Sequence, residues 1–298
     1  MSTVPELPEV EITARLIGAA TKGAQVESVL APGLNAVKTF DPPLHVLDGA
    51  TLDGIRRRGK LFLIDAHADA SGPAGPDADY TLVVHLMSAG RLQLYDKRAS
   101  LKDKTSRVLL RLADGERELR LREFGTKQRA WLKLLRRADV DTEETLAALG
   151  PEAWPQPPEV AELQAALKQP RPLYALLRDQ HVIAGIGRSW LDEILHEAKL
   201  SPFKRGSDLD AAETSALREA IISRLGGALD HYEQVLTLPI PDKLPLPLRI
   251  HRHEGEPCWR CGTKLEAVYY EDYVMSYCPV CQTDGKVLKD RRLSRLLK

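Results

Sequence analysis

The chain has 298 residues, 43% hydrophobic and 28% charged. That excludes a wholly disordered or fibrous protein and exceeds what one small core holds. Its 42 basic and 42 acidic side chains cancel to a formal net charge of zero, which excludes a protein basic all over but not a locally basic face. No apolar run approaches the roughly 20 residues that span a bilayer, and Glu6, Glu9 and Glu11 stand where a signal peptide carries Lys or Arg. A cytoplasmic protein without a membrane partner is expected.

Residues 1–132 read as a first domain. Pro5-Glu6-Leu7-Pro8-Glu9-Val10-Glu11 is an acidic opening to a helix that runs to about Ala20. Short β-type runs follow at 26–30, 61–64, 80–86, 92–95, 107–112 and 118–121, several bounded by Asp-Gly, Ala-Gly or Gly-Pro turns. A β-sandwich or barrel with few helices is expected. Residues 133–170 read as an acidic, proline-rich linker with one short helix: 138–163 holds seven acids, no Lys or Arg, and Pro151, Pro155, Pro157 and Pro158. Such a stretch turns away from an anionic partner.

Residues 171–248 read as helical, with helices at 173–182, 188–198 and 211–236 and a Gly185-Ile186-Gly187 turn between the first two. Two helices joined by a glycine turn form a DNA-binding arrangement and equally a common packing unit. A proline-rich loop at 239–247 leads to a last module, 249–298, that contains all four cysteines.

Cys258-x2-Cys261 and Cys278-x2-Cys281 are separated by 16 residues. Two such knuckles bring four thiolates to one tetrahedral point about 2.3 Å from a zinc ion; a redox dithiol or two disulfides is the competing reading. Four thiolates close the coordination sphere, so the expected zinc is a single structural ion. Basic residues collect in three places: Arg56-Arg57-Arg58-Gly59-Lys60; Lys97, Arg98, Lys102, Lys104 and Arg107; and the tail of Lys286, Lys289, Arg291, Arg292, Arg295 and Lys298. Any one of these suits a solvated face; three beside a zinc ribbon and a helical pair suit phosphate backbone.

Four segments in order resemble the formamidopyrimidine-DNA glycosylase and endonuclease VIII family. They are the 5–11 opening, Arg58-Gly59-Lys60 before a strand, Asp179-Gln180-His181-Val182-Ile183-Ala184-Gly185-Ile186-Gly187, and the finger ending Cys278-Pro279-Val280-Cys281-Gln282. The resemblance covers nearly the whole chain. It implies an α+β fold of three parts: an N-terminal β-sandwich with a catalytic helix, a helix-two-turn-helix domain and a C-terminal zinc ribbon. It also implies a monomer that takes double-stranded DNA with damaged bases or abasic sites in a cleft between domains. By resemblance Pro5 is the amine nucleophile, Glu6 the proton carrier and Lys60 the lysine near the lesion phosphate. The non-catalytic alternative is a relative that recognises damage without cleaving, and a more distant one is a zinc-ribbon nucleic-acid adaptor.

Pro5 is preceded by Met1-Ser2-Thr3-Val4, and an internal proline nitrogen is an amide without iminium chemistry. Initiation at Val4 followed by methionine removal is expected to expose it; loss of lyase activity is the other resolution. Several family positions are altered. The intercalating methionine falls at Ser88, one place after Met87, and Thr105 stands for a phosphate-contacting histidine. Arg122 keeps the arginine of the loop ending Phe124-Gly125, with Glu123 replacing its neighbour. Tyr174 takes a lysine position, Arg188 an asparagine position and Tyr273 that of the finger arginine. Arg122, Arg188, Thr105 and Tyr273 are thus the expected DNA-contacting positions, and β-elimination is expected to dominate over δ-elimination.

Overall fold

The computed structural model describes residues 4–68, 78–124, 127–270 and 273–289. The chain divides into two compact units, one of Met1–Ala148 with Leu229–Pro245 and one of Leu149–Ala228 with Leu246–Lys298.

The first unit opens with helix α1 (Leu7–Thr21), where Pro8 sits in the first turn and Glu6 caps the start. Proline is tolerated there because the first-turn N–H has no helical partner. A capping box joins Glu6 and Glu9: the Glu6 N–H donates to Glu9 Oε2 at 2.9 Å, and the Glu6 carboxylate accepts the Glu9 N–H. Eight strands follow: β1 (Val26–Leu30), β2 (Thr51–Arg58), β3 (Leu61–Ala68), β4 (Ala78–His85), β5 (Gly90–Tyr95), β6 (Ser106–Leu112), β7 (Glu118–Glu123) and β8 (Trp131–Arg136). They form two four-stranded antiparallel sheets, ordered β1-β6-β7-β5 and β2-β3-β4-β8. Phe62, Ile64, Leu82, Val84 and Leu132 of one sheet and Leu92, Leu94, Leu110 and Leu121 of the other share one core with Val10 and Ile17 of α1, so the architecture is a sandwich. A Cβ on Gly18 would stand 3.3 Å from the Ile55 backbone nitrogen, which lets α1 lie close on β2.

Two strands, β2 and β8, lie outside the expected runs. β2 reads Thr-Leu-Asp-Gly-Ile-Arg-Arg-Arg, a polar sequence whose pairing with β3 is interrupted between Leu52 and Gly54, so its alternation is masked by a bulge.

In the second unit α3 (Val160–Leu167), α4 (Leu173–Arg178), α5 (Arg188–Glu197) and the greater part of α6 (Ala211–Val235) are helical; the four-residue α2 (Glu144–Ala147) belongs to the first unit. Leu163, Leu176, Ile186, Leu191, Ile194, Leu217 and Ile221 are buried. α4 ends at Arg178 rather than at 182, because Asp179 is extended and its carboxylate accepts the His181 N–H at 3.2 Å. Gln180 then braces the turn, donating to Arg178 O and Ile186 O and accepting from the Gly185 N–H, each at 2.9 Å. Gly185 has φ +106°, a region open to glycine.

The acidic stretch is structured instead of a bare linker. Ala153 is fully buried, and the backbone bonds Gly150 N to Gln180 O, Ala184 N to Pro151 O and Ala153 N to Ala184 O lay 150–153 along the turn. Pairing with the turn satisfies backbone groups that a free linker would leave to water. The last module contains the hairpin β9 (Glu266–Tyr269) and β10 (Val274–Tyr277), then α7 (Pro279–Thr283). Among the described residues no helix is long and apolar enough to cross a membrane.

Candidate active site and metal centre

At the start of α1, Val4 is exposed, Pro5 half-buried and Glu6 buried. Glu9 is buried too, and its Oε1 accepts the Tyr232 hydroxyl at 2.7 Å. Tyr232 is fully buried on the portion of α6 that belongs to this unit. Burial first, and then the facing Glu9 and Glu6 carboxylates, hold its phenol well above the ordinary value of 10, so it stays a neutral donor.

Lys60 follows Gly59 (φ +57°) in the turn between β2 and β3. Arg57 ties that turn to α1: its Nε donates to Glu11 Oε2 at 2.8 Å and its Nη1 to Gly59 O at 3.0 Å. One buried guanidinium thus links α1 to the turn that carries Lys60. Arg57, inside the basic run 56–60, is therefore internal scaffold and no part of an exposed patch. Its neighbour Arg56 pairs with Asp65 at 2.8 Å. In the second basic cluster Lys97, Lys102 and Lys104 are exposed, while its two arginines are engaged internally. Arg107 is buried and donates to Gln128 at 2.6 Å and to Asn35, while Arg98 pairs with Glu27. Each arginine meets an acceptor that folding brings across from another segment. Of the tail, Arg291, Arg292, Arg295 and Lys298 lie outside the described residues, as does Gly125.

Arg122 and Thr105 come together. The Arg122 Nε donates to Thr105 Oγ1 at 3.2 Å and its Nη1 to the Tyr95 hydroxyl at 2.5 Å, with Asp242 at 3.6 Å. The guanidinium also lies 4.7 Å from the Phe124 ring centre. Thr105 is itself held by Asp103 at 2.8 Å.

His85, at the end of β4, stacks on Trp131 with centroids 5.6 Å apart, and its Nδ1 accepts the Met87 N–H at 2.9 Å. Met87 is left-handed (φ +52°) and Ser88 is exposed, so the loop presents Ser88. Burial first, then the charge of Lys60, push the His85 imidazole down to about 4. The unfolded chain therefore binds a proton between about pH 6.5 and 4 that the folded chain refuses. The stability contributed is complete above that window and is lost as pH falls through it. Denaturant titrations at pH 7 and pH 4 should show wild type losing on the order of 2 kcal/mol more than His85→Gln, which keeps an acceptor for Met87. Equal losses would show that His85 is already charged in the folded chain.

In the second unit, Arg188 and Tyr273 meet. The Arg188 guanidinium lies 4.5 Å and that of Arg178 4.8 Å from the Tyr273 ring centre, and Tyr273 stacks on Tyr270 at 4.3 Å. The finger position that lacks an arginine is thus faced by two from α4 and α5, which sequence reading had not connected.

The four cysteines converge. Cys261 Sγ lies 3.5 Å from both Cys278 and Cys281, and Cys258 lies 4.0 Å from Cys281. The edge of a tetrahedron with 2.3 Å metal–sulphur bonds is about 3.8 Å, so the donor set is compatible with structural zinc. The ribbon's own core is Ile250, Cys258, Leu265 and Cys278 with Cys281 against it, a small core of the kind that metals commonly supplement. Thr263, through its hydroxyl first and its backbone second, holds the Cys261 thiol down to about 6, which favours the thiolate a metal needs.

Helix α5 seats this module. Glu193 Oε1 accepts the N–H groups of Arg249, Ile250 and His251 at 3.0, 2.8 and 3.0 Å. Asp192 Oδ2 accepts from Ser276 N at 3.0 Å and meets His251 Nδ1 at 2.6 Å. Burial drives the Asp192 carboxyl up to about 7 in spite of that imidazole.

Comparison with known proteins agrees with this geometry. The family description "Formamidopyrimidine-DNA glycosylase N-terminal domain" matches residues 4–127, and "Formamidopyrimidine-DNA glycosylase H2TH domain" matches 149–238. A formamidopyrimidine-DNA glycosylase of Bacillus cereus is 30% identical, over 94% of this chain and 99% of its own. An uncharacterized formamidopyrimidine-DNA glycosylase-like protein of Mycobacterium tuberculosis is 43% identical over 41% of this chain and 78% of its own. The fold is that of Lactococcus lactis Fpg (MutM), solved with DNA containing N7-benzyl-Fapy-dG: TM-score 0.81, 24% identity, 94% of this chain and all of that one. The chain belongs to the formamidopyrimidine-DNA glycosylase family.

Proposed function

We propose that this protein excises damaged bases from double-stranded DNA and cleaves the abasic product through a Schiff base on Pro5. The observation that carries the reading is the joining of the Pro5–Glu6 helix start to the Lys60 turn by Arg57, in a chain of this family. The active form begins at Pro5. Its secondary amine, with an α-amino pKa near ~7.7–8.0, attacks the sugar C1′; the C1′–N bond breaks and the base leaves, the amine gives up its proton, and the C1′–O4′ bond then opens to leave an iminium. Glu6, buried and oriented by the capping box, carries the proton to O4′ of the opening sugar. Lys60 holds the lesion phosphate while β-elimination removes a C2′ proton to water, breaks the 3′ C–O bond and releases the phosphate. Arg122 with Thr105, and Arg188 over Tyr273, supply further phosphate contacts. Cys258, Cys261, Cys278 and Cys281 hold one structural zinc. The protein works as a cytoplasmic monomer on DNA.

The test separates the two half-reactions. On duplex carrying an oxidised base, Glu6→Gln should lower excision by about 10²–10⁴-fold. Cleavage of a preformed abasic site should fall much less, because no base remains to be expelled. Equal losses in both would remove Glu6 from the excision step. Binding to abasic DNA without release of any base or strand would mark the chain as a non-catalytic relative.

A further inference from the structure

His196 stands in the last turn of α5, buried, with its Nε2 3.2 Å from Cys258 Sγ. It is 62 residues from that cysteine in sequence, and no motif marks it. Its imidazole and the sulphurs of Cys258, Cys278 and Cys281 lie within 4.8 Å of one another. Cys261 stands beside Cys278 and Cys281, so five candidate donors are available to a tetrahedral cation that takes four.

The two Cys-x2-Cys pairs assign the fifth donor: they supply four sulphurs, with Cys261 3.5 Å from two of the others, which completes a tetrahedral set. His196 Nε2, 3.2 Å from Cys258 Sγ, is then left within reach of an N–H···S hydrogen bond.

Charge gives the reason. Four thiolates around a divalent cation carry two net negative charges, and partly buried charge needs donors. Cys278 receives the Cys281 N–H at 3.5 Å, and Cys261 receives Thr263. Cys258, the buried thiol of its knuckle, has the His196 Nε2 at 3.2 Å. The histidine's own carbonyl is gripped by Arg260 Nη1 at 2.7 Å, and Trp259 packs tilted against its ring at 5.6 Å, so the ring has little freedom to leave.

We propose that His196 is a positioning residue for the metal: its Nε2–H donates to the Cys258 thiolate of a four-cysteine site and couples α5 to metal retention. The proposal rests on the zinc reading and is independent of the glycosylase reading. Metal content of the wild-type protein tests the zinc reading by itself; the variants test the histidine.

The experiment is cobalt substitution of the full chain, with chelator competition for zinc. Wild type and His196→Phe should both show the visible spectrum of a four-thiolate cobalt site. In His196→Phe the sulphur-to-metal charge-transfer band should move to lower energy, because the thiolate loses its donor. Zinc affinity should fall about ten- to a hundredfold. His196→Gln, which retains an N–H, should restore part of both. A wild-type spectrum of three sulphurs and one nitrogen would overturn the proposal by making His196 a ligand. An unshifted band with unchanged affinity in His196→Phe would overturn it by making the contact incidental. If His196→Phe fails to fold, the Gln variant decides: a band shifted partway to lower energy with a smaller loss of affinity than a cysteine variant supports the hydrogen bond, whereas wild-type band and affinity, or a loss as large as for a cysteine variant, refutes it.

Discussion

A chain beginning at Pro5 is expected to form a borohydride-stable adduct with abasic-site DNA, and the chain beginning at Met1 is expected to form none. The reason is elementary: only a free secondary amine retains the lone pair that attacks C1′, whereas the nitrogen between Val4 and Pro5 is an amide. The expected difference is at least about a thousandfold, the scale on which removal of a covalent nucleophile acts. Pro5→Gly on the shortened chain keeps a primary amine and should retain a fraction of the trapping. Equal adducts from both chains would move the nucleophile to a lysine, with Lys60 first in line.

The second large effect is expected on removing the metal. Zinc ribbons gain about 10–16 kcal/mol of apparent binding energy at pH 7, and a core of four residues and one half-buried cysteine has nothing comparable to replace it. Chelation, or Cys278→Ser, should abolish hydrogen-exchange protection in β9 and β10 and weaken binding to abasic DNA by more than tenfold. The mutation should also leave α1 and both sheets of the sandwich protected. Survival of the hairpin without metal would show that its contacts to α5 suffice.

What could be read in advance followed the range of the forces involved. The two cysteine pairs, the Gly185-Ile186-Gly187 turn and most sandwich strands are local patterns, each decided by a spacing or an alternation within ten residues or so. β2 was lost because three arginines in a row mimic a solvated patch, and only Glu11, 46 residues away, shows that one of them is interior. Helix α4 is shorter than its sequence pattern suggests, because 179–182 keeps an apolar rhythm while the Asp179 side chain offers the backbone a competing bond. The meeting of Arg178 and Arg188 over Tyr273 depends on packing between segments distant in sequence, as does the His196–Cys258 contact. No spacing announces either.

One consequence follows from the carboxylate of Glu193. By receiving three successive amides at 249–251, it clamps the entrance to the ribbon by a device that contains no sulphur. Demetallation therefore has a boundary. The chain beyond this clamp can open while its point of departure stays fixed on α5, and the cysteines search for an ion from a tethered origin instead of from a free coil. A shorter tether lowers the entropic cost of closing the loop again, so a ribbon without its ion would keep a short route back to the loaded state.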